Sequence, residues 1–389
     1  MKPSLVINQL PAKDRSSDCR RIRARRSGVL TVFALLMLVI AIGMLMLVLN
    51  YVWLVLHNRD MQRRSDLLAL VSIEELLDEH LLADQIANQI DDAIEAEEAV
   101  HAFRRENNLT AANSLYLDAS NVTVVPGRVD DVNQPVFVRQ MPFNALRVEL
   151  HRYAEGPNPA RLLIRGFGTP DAADVTTASV ATLDSFVVGF RPTVTMATPL
   201  AAVAISASAW FTNRRQSKID TNANNRFELD VLLRPLSGGG IANGAVIGVD
   251  RSIPLDLGMI PDQIVGGILP GDLAGGLLGP ATPGNPLPLP ASDISPDSTD
   301  ALVAALNSVA ASDDPRRIFA IYSGNFTDPL QIVGFIAATV LEAENVGQSD
   351  EQLRVTVEPV FIVHPTAVTV AADPSVPENV YIHKLRLVQ

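Results

Sequence analysis

Two short stretches contain Asp and Ser residues that could hold a divalent cation. An adhesion-type metal site needs D-x-S-x-S at the end of a buried strand, because carboxylate and hydroxyl oxygens coordinate hard cations. LYLDASNV supplies Asp118 and Ser120 after an apolar run, but Val122 stands where the final Ser is needed. A second stretch, SDISPDSTD, offers a similar set of oxygen ligands: Asp293, Ser295 and Asp297. No strand precedes it, so we interpret both stretches as polar turns without a metal.

A third stretch, DTNANNRFELD, places oxygen ligands at alternate positions, as a calcium-binding loop does. These residues are Asp220, Asn222 and Asn224. An EF-hand loop also requires a central Gly and a final Glu, and the sequence has Asn225 and Val231 there. We therefore predict a polar hairpin tip.

The histidines and the single cysteine form no recognisable catalytic or metal-binding pattern. The six histidines are scattered along the chain: His57, His80, His101, His151, His364 and His383. There is no H-E-x-x-H and no cysteine partner, so we predict surface or interface roles rather than metal ligation. Cys19 is the only cysteine, which excludes an intrachain disulfide, and no activated-thiol motif surrounds it.

Other residues that could do chemistry also lack the context they would need. No G-x-S-x-G or P-loop pattern occurs, and Gly238–Gly240 is not followed by a helix start with Lys and Ser or Thr. We interpret that glycine run as a flexible link. One acidic cluster is interpreted as a solvated helix face: Asp91, Asp92, Glu95, Glu97 and Glu98. The sequence thus predicts no catalytic, cofactor or metal site, and we expect a protein that is not an enzyme.

The strongest pattern in the chain is an uncharged apolar run at residues 28–56, GVLTVFALLMLVIAIGMLMLVLNYVWLVL. About 20 apolar residues suffice to cross a bilayer core of roughly 30 Å. Tyr51 and Trp53 stand where an aromatic interfacial belt is expected, which limits the hydrocarbon-spanning part to residues 29–49. The run is too long for the apolar region of a cleaved signal peptide, so we predict a retained, single-pass anchor.

The charge distribution predicts how this anchor is oriented. Bases cluster before the span, with RRIRARR at residues 20–26, and such clusters stay in the cytoplasm. The N-terminus is therefore expected inside the cytoplasmic membrane and the C-terminal body outside it. Residues 1–59 carry a net charge of +7 and the remainder −19, so an acidic body argues against nucleic acid as a partner.

The segment after the span predicts a continuation of the same helix. Between Met44 and Val125 there is no Gly or Pro, and apolar residues recur at helical spacing. We predict one helix over residues 28–106, or a shorter pair of stacked helices. Its apolar stripe would be covered by downstream strands or by a second copy, although no sustained heptad favours a coiled coil.

The rest of the chain favours an α+β fold, in which a long N-terminal transmembrane and stalk helix precedes a mostly antiparallel β ectodomain. Strands are predicted at residues 113–125, 144–154, 160–167, 176–190, 226–234, 316–322, 330–343, 352–364 and 379–388. Helical segments are predicted at residues 261–267, 270–275 and 298–310. The expected segments are a basic tail (1–26), a transmembrane helix (27–56), a stalk (57–108), a β-rich domain packed on the helix (109–190) and a second β-rich region (191–389) with a Gly/Pro-rich loop (235–290).

Several stretches resemble the TadG-like proteins of Flp (Tad) pilus assembly. The N-terminal stretch NYVWLVLHNRDMQRRSDLLALVSI resembles the region around the membrane helix of that family, at Asn50-Tyr51, Asn58-Arg59, Met61-Gln62 and Ser65-Asp66. Further stretches that resemble longer relatives of the group are NALRVELHR, VVGFRPT, IPDQIVGGILPGDLAG, IVGFIAATVLEAE and YIHKLRLV. The family often has an acid where Asn50 stands, and small residues where Leu67, Leu68 and Val71 stand.

The resemblance implies a single-pass bacterial envelope protein with a structural or assembly role in a pilus or secretion apparatus. Its expected partners are the lipid bilayer, through residues 28–56, and other envelope proteins, with a second copy as a further option. One alternative is a minor pilin or pseudopilin, but cleavage after Gly28 would call for Glu where Phe33 stands. The other alternative is a membrane-anchored enzyme with an unrecognised site.

Overall fold

The computed structural model describes residues 16–77, 89–107, 117–130, 136–156, 158–165, 170–216, 227–233, 242–294, 296–326, 329–346, 352–372 and 375–388. These residues contain five α-helices: α1 Ser16–Ser72, α2 Gln89–Asn107, α3 Ala207–Gln216, α4 Ile260–Gly266 and α5 Pro296–Ala310. A long N-terminal apolar helix followed by a mostly β body confirms the predicted α+β class.

The described residues also contain eighteen strands. In the first half of the chain they are β1 Val122–Val129, β2 Phe137–Val138, β3 Ala145–Arg152, β4 Ala160–Arg161, β5 Ala172–Ala173, β6 Val175–Asp184, β7 Val187–Phe190 and β8 Leu200–Ser206. In the second half they are β9 Leu229–Leu232, β10 Gly244–Ile247, β11 Leu287–Leu289, β12 Ala291–Ser292, β13 Arg316–Tyr322, β14 Leu330–Val346, β15 Gln352–Pro359, β16 Ile362–Val363, β17 Ala367–Thr369 and β18 Ile382–Val388.

The strands form two large sheets. One has the order β16-β18-β6-β3-β1-β2. The other has the order β12-β10-β8-β13-β14-β15-β9, with β11 pairing on β14. Apart from the parallel pairs β8/β13 and β16/β18, the registered pairs are antiparallel, as predicted. Helices α4 and α5 pack on β8 and β14, so the second sheet lies beneath them and holds much of the core.

The expected continuous helix over residues 28–106 is wrong at Ser72. There α1 gives way to a 3-10 turn, Ile73–Leu76, against which α2 packs. No Gly or Pro marks this end, but Ser72, Ile73 and Leu76 are buried. Tertiary packing therefore ends the helix at a point where the sequence has no local breaker.

Three expectations about strands also differ from the structure. Residues 160–167 were expected to form one strand, but in the described part only Ala160–Arg161 does, and this short strand β4 pairs with β5. Residues 176–190 form two strands, β6 and β7. The Gly/Pro-rich segment 235–290 is mostly loop where it is described, as predicted, but it also contributes the core strand β10 and the short strand β11, which were not predicted.

The chain divides into two compact units, residues 1–61 with 151–176, and residues 62–150 with 177–389. This division differs from the predicted boundary at residue 190. The physical reason is that the C-terminal strand β18 pairs antiparallel with β6, from Lys384 beside Asp184 to Val388 beside Val180. Both large sheets therefore contain strands from the second β-rich region, residues 191–389.

Candidate functional site

The apolar run of α1 is exposed over the length that a bilayer requires. Among the described residues, one helix is long and apolar enough to cross a membrane, and its most apolar 18-residue stretch is entirely unburied. Residues 29–49 are exposed or half-buried, and Asn50 is the first buried residue. At 1.5 Å per residue this stretch is about 31 Å long, which matches a hydrocarbon core of about 30 Å.

Directly after the exposed run, polar side chains of α1 bind a second segment of the first unit. Asn50 Nδ2 donates to the carbonyl of Ile164, and the Ile164 amide donates back to Asn50 Oδ1, each at 2.9 Å. One turn further, Trp53 Nε1 donates to the carbonyl of Arg161 at 3.1 Å. These side chains lie on one helix face because they are three residues apart. They pair three backbone groups of residues 161–164 where the apolar run ends.

A buried histidine extends the same helix face. His57 Nε2 lies 2.7 Å from Arg152 Nη1, and both side chains are buried. A guanidinium can only donate, so Nε2 accepts and the proton of this neutral imidazole is on Nδ1. The histidine thus contributes a hydrogen bond to a buried charge, a type of contact that is costly to leave unmade.

The last part of α1 is attached to strands of the second unit. Ser65 Oγ donates to the carbonyl of Val148 at 2.8 Å, and Ser65 is fully buried. Gln62 Nε2 donates to Ser179 Oγ at 2.8 Å, and Ser179 Oγ donates to a carboxylate oxygen of Asp66. A hydrogen-bonded network therefore holds the helix on its sheet, in addition to apolar packing by Leu68.

A cavity of about 550 Å³ lies within the second unit. Its apolar lining includes Leu76, Phe143, Phe186 and Phe361, and its polar lining includes Asn144, Ser185, Glu378, Asn379 and His383. Most of these polar groups are already engaged in holding the fold. Ser185 Oγ donates to Glu378 Oε1 at 3.0 Å. Asn379 Oδ1 accepts the amides of Tyr381 and Ile382 at 2.9 and 3.0 Å, so these contacts fix the start of β18.

His383 is the titratable group of this cavity with the most perturbed protonation. Its Nε2 donates to the carbonyl of Val380 at 3.0 Å, while Nδ1 is buried without a hydrogen-bond partner in the described part of the chain. Burial lowers the pKa of His383 to about 4, an effect that the Val380 carbonyl only partly opposes. The imidazole is therefore neutral at pH 7, with an unprotonated Nδ1.

The first Asp-Ser stretch forms a turn, whereas the described part of the second includes the start of helix α5. Asp118 caps the short 3-10 helix Ala119–Asn121, and its Oδ1 accepts the amide of Ser120 at 3.1 Å. This confirms the predicted turn. Asp293 lies between β12 and α5 and Asp297 lies in the first turn of α5, whereas Ser295 is outside the described residues.

The remaining candidates fall partly outside the described ranges. Asp220, Asn222, Asn224, Gly238–Gly240 and His80 are not described. Within the described residues, no group of three or more His, Cys, Asp and Glu side chains is placed to hold a metal ion.

The histidines do not all have the surface or interface roles that were predicted for them. His57 and His383 are buried within the chain, so the prediction is wrong for these two. His101 is partly exposed beside Glu97. His151 is also partly exposed and stacks on Tyr153 at a ring separation of 5.7 Å. His364 Nδ1 forms a hydrogen bond of 2.7 Å with Thr366 Oγ1. Burial lowers the pKa of the His364 imidazole.

One member of the acidic cluster on α2 departs from the predicted solvated face. Glu95, Glu97 and Glu98 are exposed, but Asp92 is only 2% exposed. The reason is its position one turn before Ala96 and two before Val100, which are fully buried. Asp92 therefore belongs to the packed face of the helix.

The sequence analysis did not predict that three residues at the end of the apolar stretch share one polar helix face. Asn50, Trp53 and His57 stand at positions i, i+3 and i+7, so a helical plot of polar residues at the end of the apolar run would have placed them on one face. Their partners on residues 152–164 could not be read from the sequence, because they include backbone groups more than a hundred residues away.

No family model matches this chain, and no significant match is found to a curated protein or to a solved structure.

Proposed function

We propose that this protein is a membrane-anchored, non-enzymatic component of a bacterial cell envelope, with a structural or assembly role beside a Tad-type pilus or secretion apparatus. The observation that carries the proposal is the apolar stretch of α1, 29–49, which has no buried residue and has the length of a bilayer core. In water, such a surface would drive aggregation. In lipid it needs no protein cover.

The orientation follows from charge. The basic cluster before the span favours retention of residues 1–26 in the cytoplasm, and the acidic body after it would lie outside the inner membrane. In this orientation the body after the span can contact other envelope proteins.

The stretches that resemble TadG-like proteins support a structural rather than a catalytic role. VVGFRPT pairs with a residue three positions after the end of IPDQIVGGILPGDLAG, through two backbone hydrogen bonds between Phe190 and Leu278 at 2.8 and 2.9 Å. A Cβ on Gly189 would come within 2.2 Å of the Leu278 carbonyl, so this approach requires glycine. The other stretches contribute the strands β3, β14 and β18. Packing within the fold therefore accounts for the residues of these stretches.

Membrane topology can be tested through the single native cysteine. Cys19 lies before the span, and a Val194→Cys substitution in a Cys19→Ser background adds one thiol at a position that is 89% exposed. We expect a membrane-impermeant maleimide to label residue 194 in intact spheroplasts, and to label Cys19 in the native chain only after lysis. Labelling in the reverse order, or release of the protein by alkaline carbonate, would refute the proposal.

Association with a pilus apparatus needs a separate test. Leu67 and Val71 are apolar, one turn apart and half-exposed on α1, so they are suitable positions for a photo-crosslinking residue. The matched control is Arg63, which is exposed on the same helix. We expect crosslinks from residues 67 and 71 to pilus or secretion components. Crosslinks only to unrelated enzymes would contradict the assembly role and leave the anchor standing.

A further inference from the structure

We propose that residues 161–165, the interfacial segment, bind anionic phospholipid headgroups on the ectodomain side of the membrane. The inference rests on the proposed membrane anchor and adds a lipid-recognition site to it. It is carried by the position of this segment, by which of its side chains are exposed, and by their charge.

The position of the interfacial segment is set by hydrogen bonds to α1. Asn50, the first buried residue after the apolar run, holds both the amide and the carbonyl of Ile164 at 2.9 Å. Trp53, one turn later, holds the carbonyl of Arg161 at 3.1 Å. Three residues of helix rise about 4.5 Å, so the segment is attached within one turn of the end of the span. That depth is the headgroup layer. With the headgroup layers included, the bilayer is about 40–45 Å thick.

The exposed side chains of the segment alternate along the sequence RLLIR. Arg161, Leu163 and Arg165 are exposed, while Leu162 is buried and Ile164 is half-buried. Leu163 is 55% exposed, although it is apolar. The segment therefore presents a basic, an apolar and a second basic side chain at alternate positions.

This arrangement suits the boundary between headgroups and acyl chains. A guanidinium can bind a phosphate through two parallel hydrogen bonds, and an apolar side chain between two such groups can enter the acyl region. Tyr51, which is 69% exposed, adds an aromatic ring of the kind enriched at this depth. The rest of the chain after residue 59 carries −19, so a basic pair here offsets repulsion from an anionic surface.

The test uses the full chain, reconstituted in vesicles, with one fluorescent label on a Cys19→Ser background. Leu163→Cys carries an NBD label, whose emission is read in phosphatidylcholine vesicles and in vesicles that also contain phosphatidylglycerol. We expect quenching by headgroup-proximal spin-labelled lipid and protection from aqueous iodide. The ratio of lipid-contacting to water-exposed label should rise with phosphatidylglycerol, by about fivefold for each Arg that contributes. In Arg161→Gln/Arg165→Gln, this dependence on anionic lipid should be lost.

Two further variants separate attachment from charge. Asn50→Ala removes the bonds to Ile164 without a change of charge, and it should release the label to iodide. Asn58→Ala, an exposed position on the same helix, is the matched control and should leave the label in lipid.

Controls make each outcome decisive. A label at Val39→Cys, in mid-span, reports the anchor alone. If residue 39 contacts lipid but residue 163 is open to iodide, the interfacial segment is refuted and the anchor holds. If residue 39 also contacts water, the anchor itself fails. Equal lipid quenching at Glu155→Cys, an exposed position of the same unit, would show that the label partitions by itself. Protection from iodide without lipid quenching would show that protein covers residue 163; both results overturn the proposal.

Discussion

Single polar residues mark the point where the exposed apolar stretch of α1 ends. Asn50 would be costly in hydrocarbon, but in the structure both ends of its amide are paired with the backbone of Ile164. Trp53 and His57 continue this face with polar contacts to Arg161 and Arg152. The change from an exposed apolar surface to one that contacts other parts of the chain therefore takes place within two turns of one helix.

A buried neutral histidine makes the fold of the second unit sensitive to acid. Burial lowers the pKa of His383 from 6.5 to about 4, so the unfolded chain binds a proton at a pH where the folded chain does not. The stabilisation is fully present above pH 6.5 and is lost as the pH falls toward 4. We expect a loss on the order of 3 kcal/mol in the free energy of unfolding across this window, measured by urea titration in detergent at several pH values.

The comparison variant for this prediction is His383→Gln, which keeps a donor for the Val380 carbonyl but cannot be protonated. Its free energy of unfolding should fall less than that of the native chain between pH 6.5 and 4.5. His151→Gln, at a partly exposed ring, serves as control. Parallel pH curves for the native and His383→Gln proteins would mean that this imidazole is not held neutral by burial.

Among the elements, α1 has two different kinds of surface at different positions along its length. Over residues 29–49 its surface is apolar all round, as lipid requires. From Ser65 onward it has a narrow face of small and apolar residues, with Ser65, Ala69 and Ser72 fully buried. These side chains are at positions i, i+4 and i+7, so they lie on one side of the helix and permit a close approach to the sheet.

A larger side chain on this face should displace the helix from its sheet. Ser65→Leu adds volume at a fully buried position and removes the hydrogen bond to Val148, so we expect a loss of about 1–3 kcal/mol. The readout is the urea midpoint of the full chain in detergent. Arg63→Leu adds an apolar side chain at an exposed position nearby and should change the midpoint little. Equal midpoints for both variants would show that this face is not tightly packed.

On the scale of the whole molecule, the end of the described chain completes the six-stranded sheet and also contacts a helix outside that sheet. Strand β18 pairs with β6 in the first sheet, and Tyr381 just before it contacts Trp210 of α3. The two rings are 5.5 Å apart in an edge-to-face arrangement, and Trp210 is fully buried. The last strand thus links elements that are up to two hundred residues apart in sequence.

Removal of residues 380–389 should therefore unfold more than one strand. The truncation opens an edge of the six-stranded sheet and leaves Trp210 without Tyr381, and folded domains have only about 5–15 kcal/mol to lose. We expect loss of cooperative unfolding and rapid proteolysis of the ectodomain. Deletion of Gln389 alone is the control. A truncated chain with native protease resistance would show that β18 is peripheral.

The sequence predicted correctly those elements that have a clear local pattern. The strand β13 and the helix α4 lie within a residue of their expected positions, because an apolar run and a Pro-initiated turn define them locally. The strand β8 was missed, since LAAVAIS is almost wholly buried and alanine-rich, without alternation. The polar face at Asn50 was missed because its partners are distant backbone atoms.

The amino-acid sequence by itself determined the membrane run, the α+β class and the charge asymmetry, since these depend on composition and on spacing over a few residues. Only the tertiary structure decided where α1 ends, which strands share a sheet and which polar groups meet. Those outcomes depend on burial: Ser72, Asp92 and His383 are buried, and no local pattern in the sequence predicts that they are. The same holds for residues 161–165, whose position at the end of the span is set by two side chains of a helix more than a hundred residues earlier.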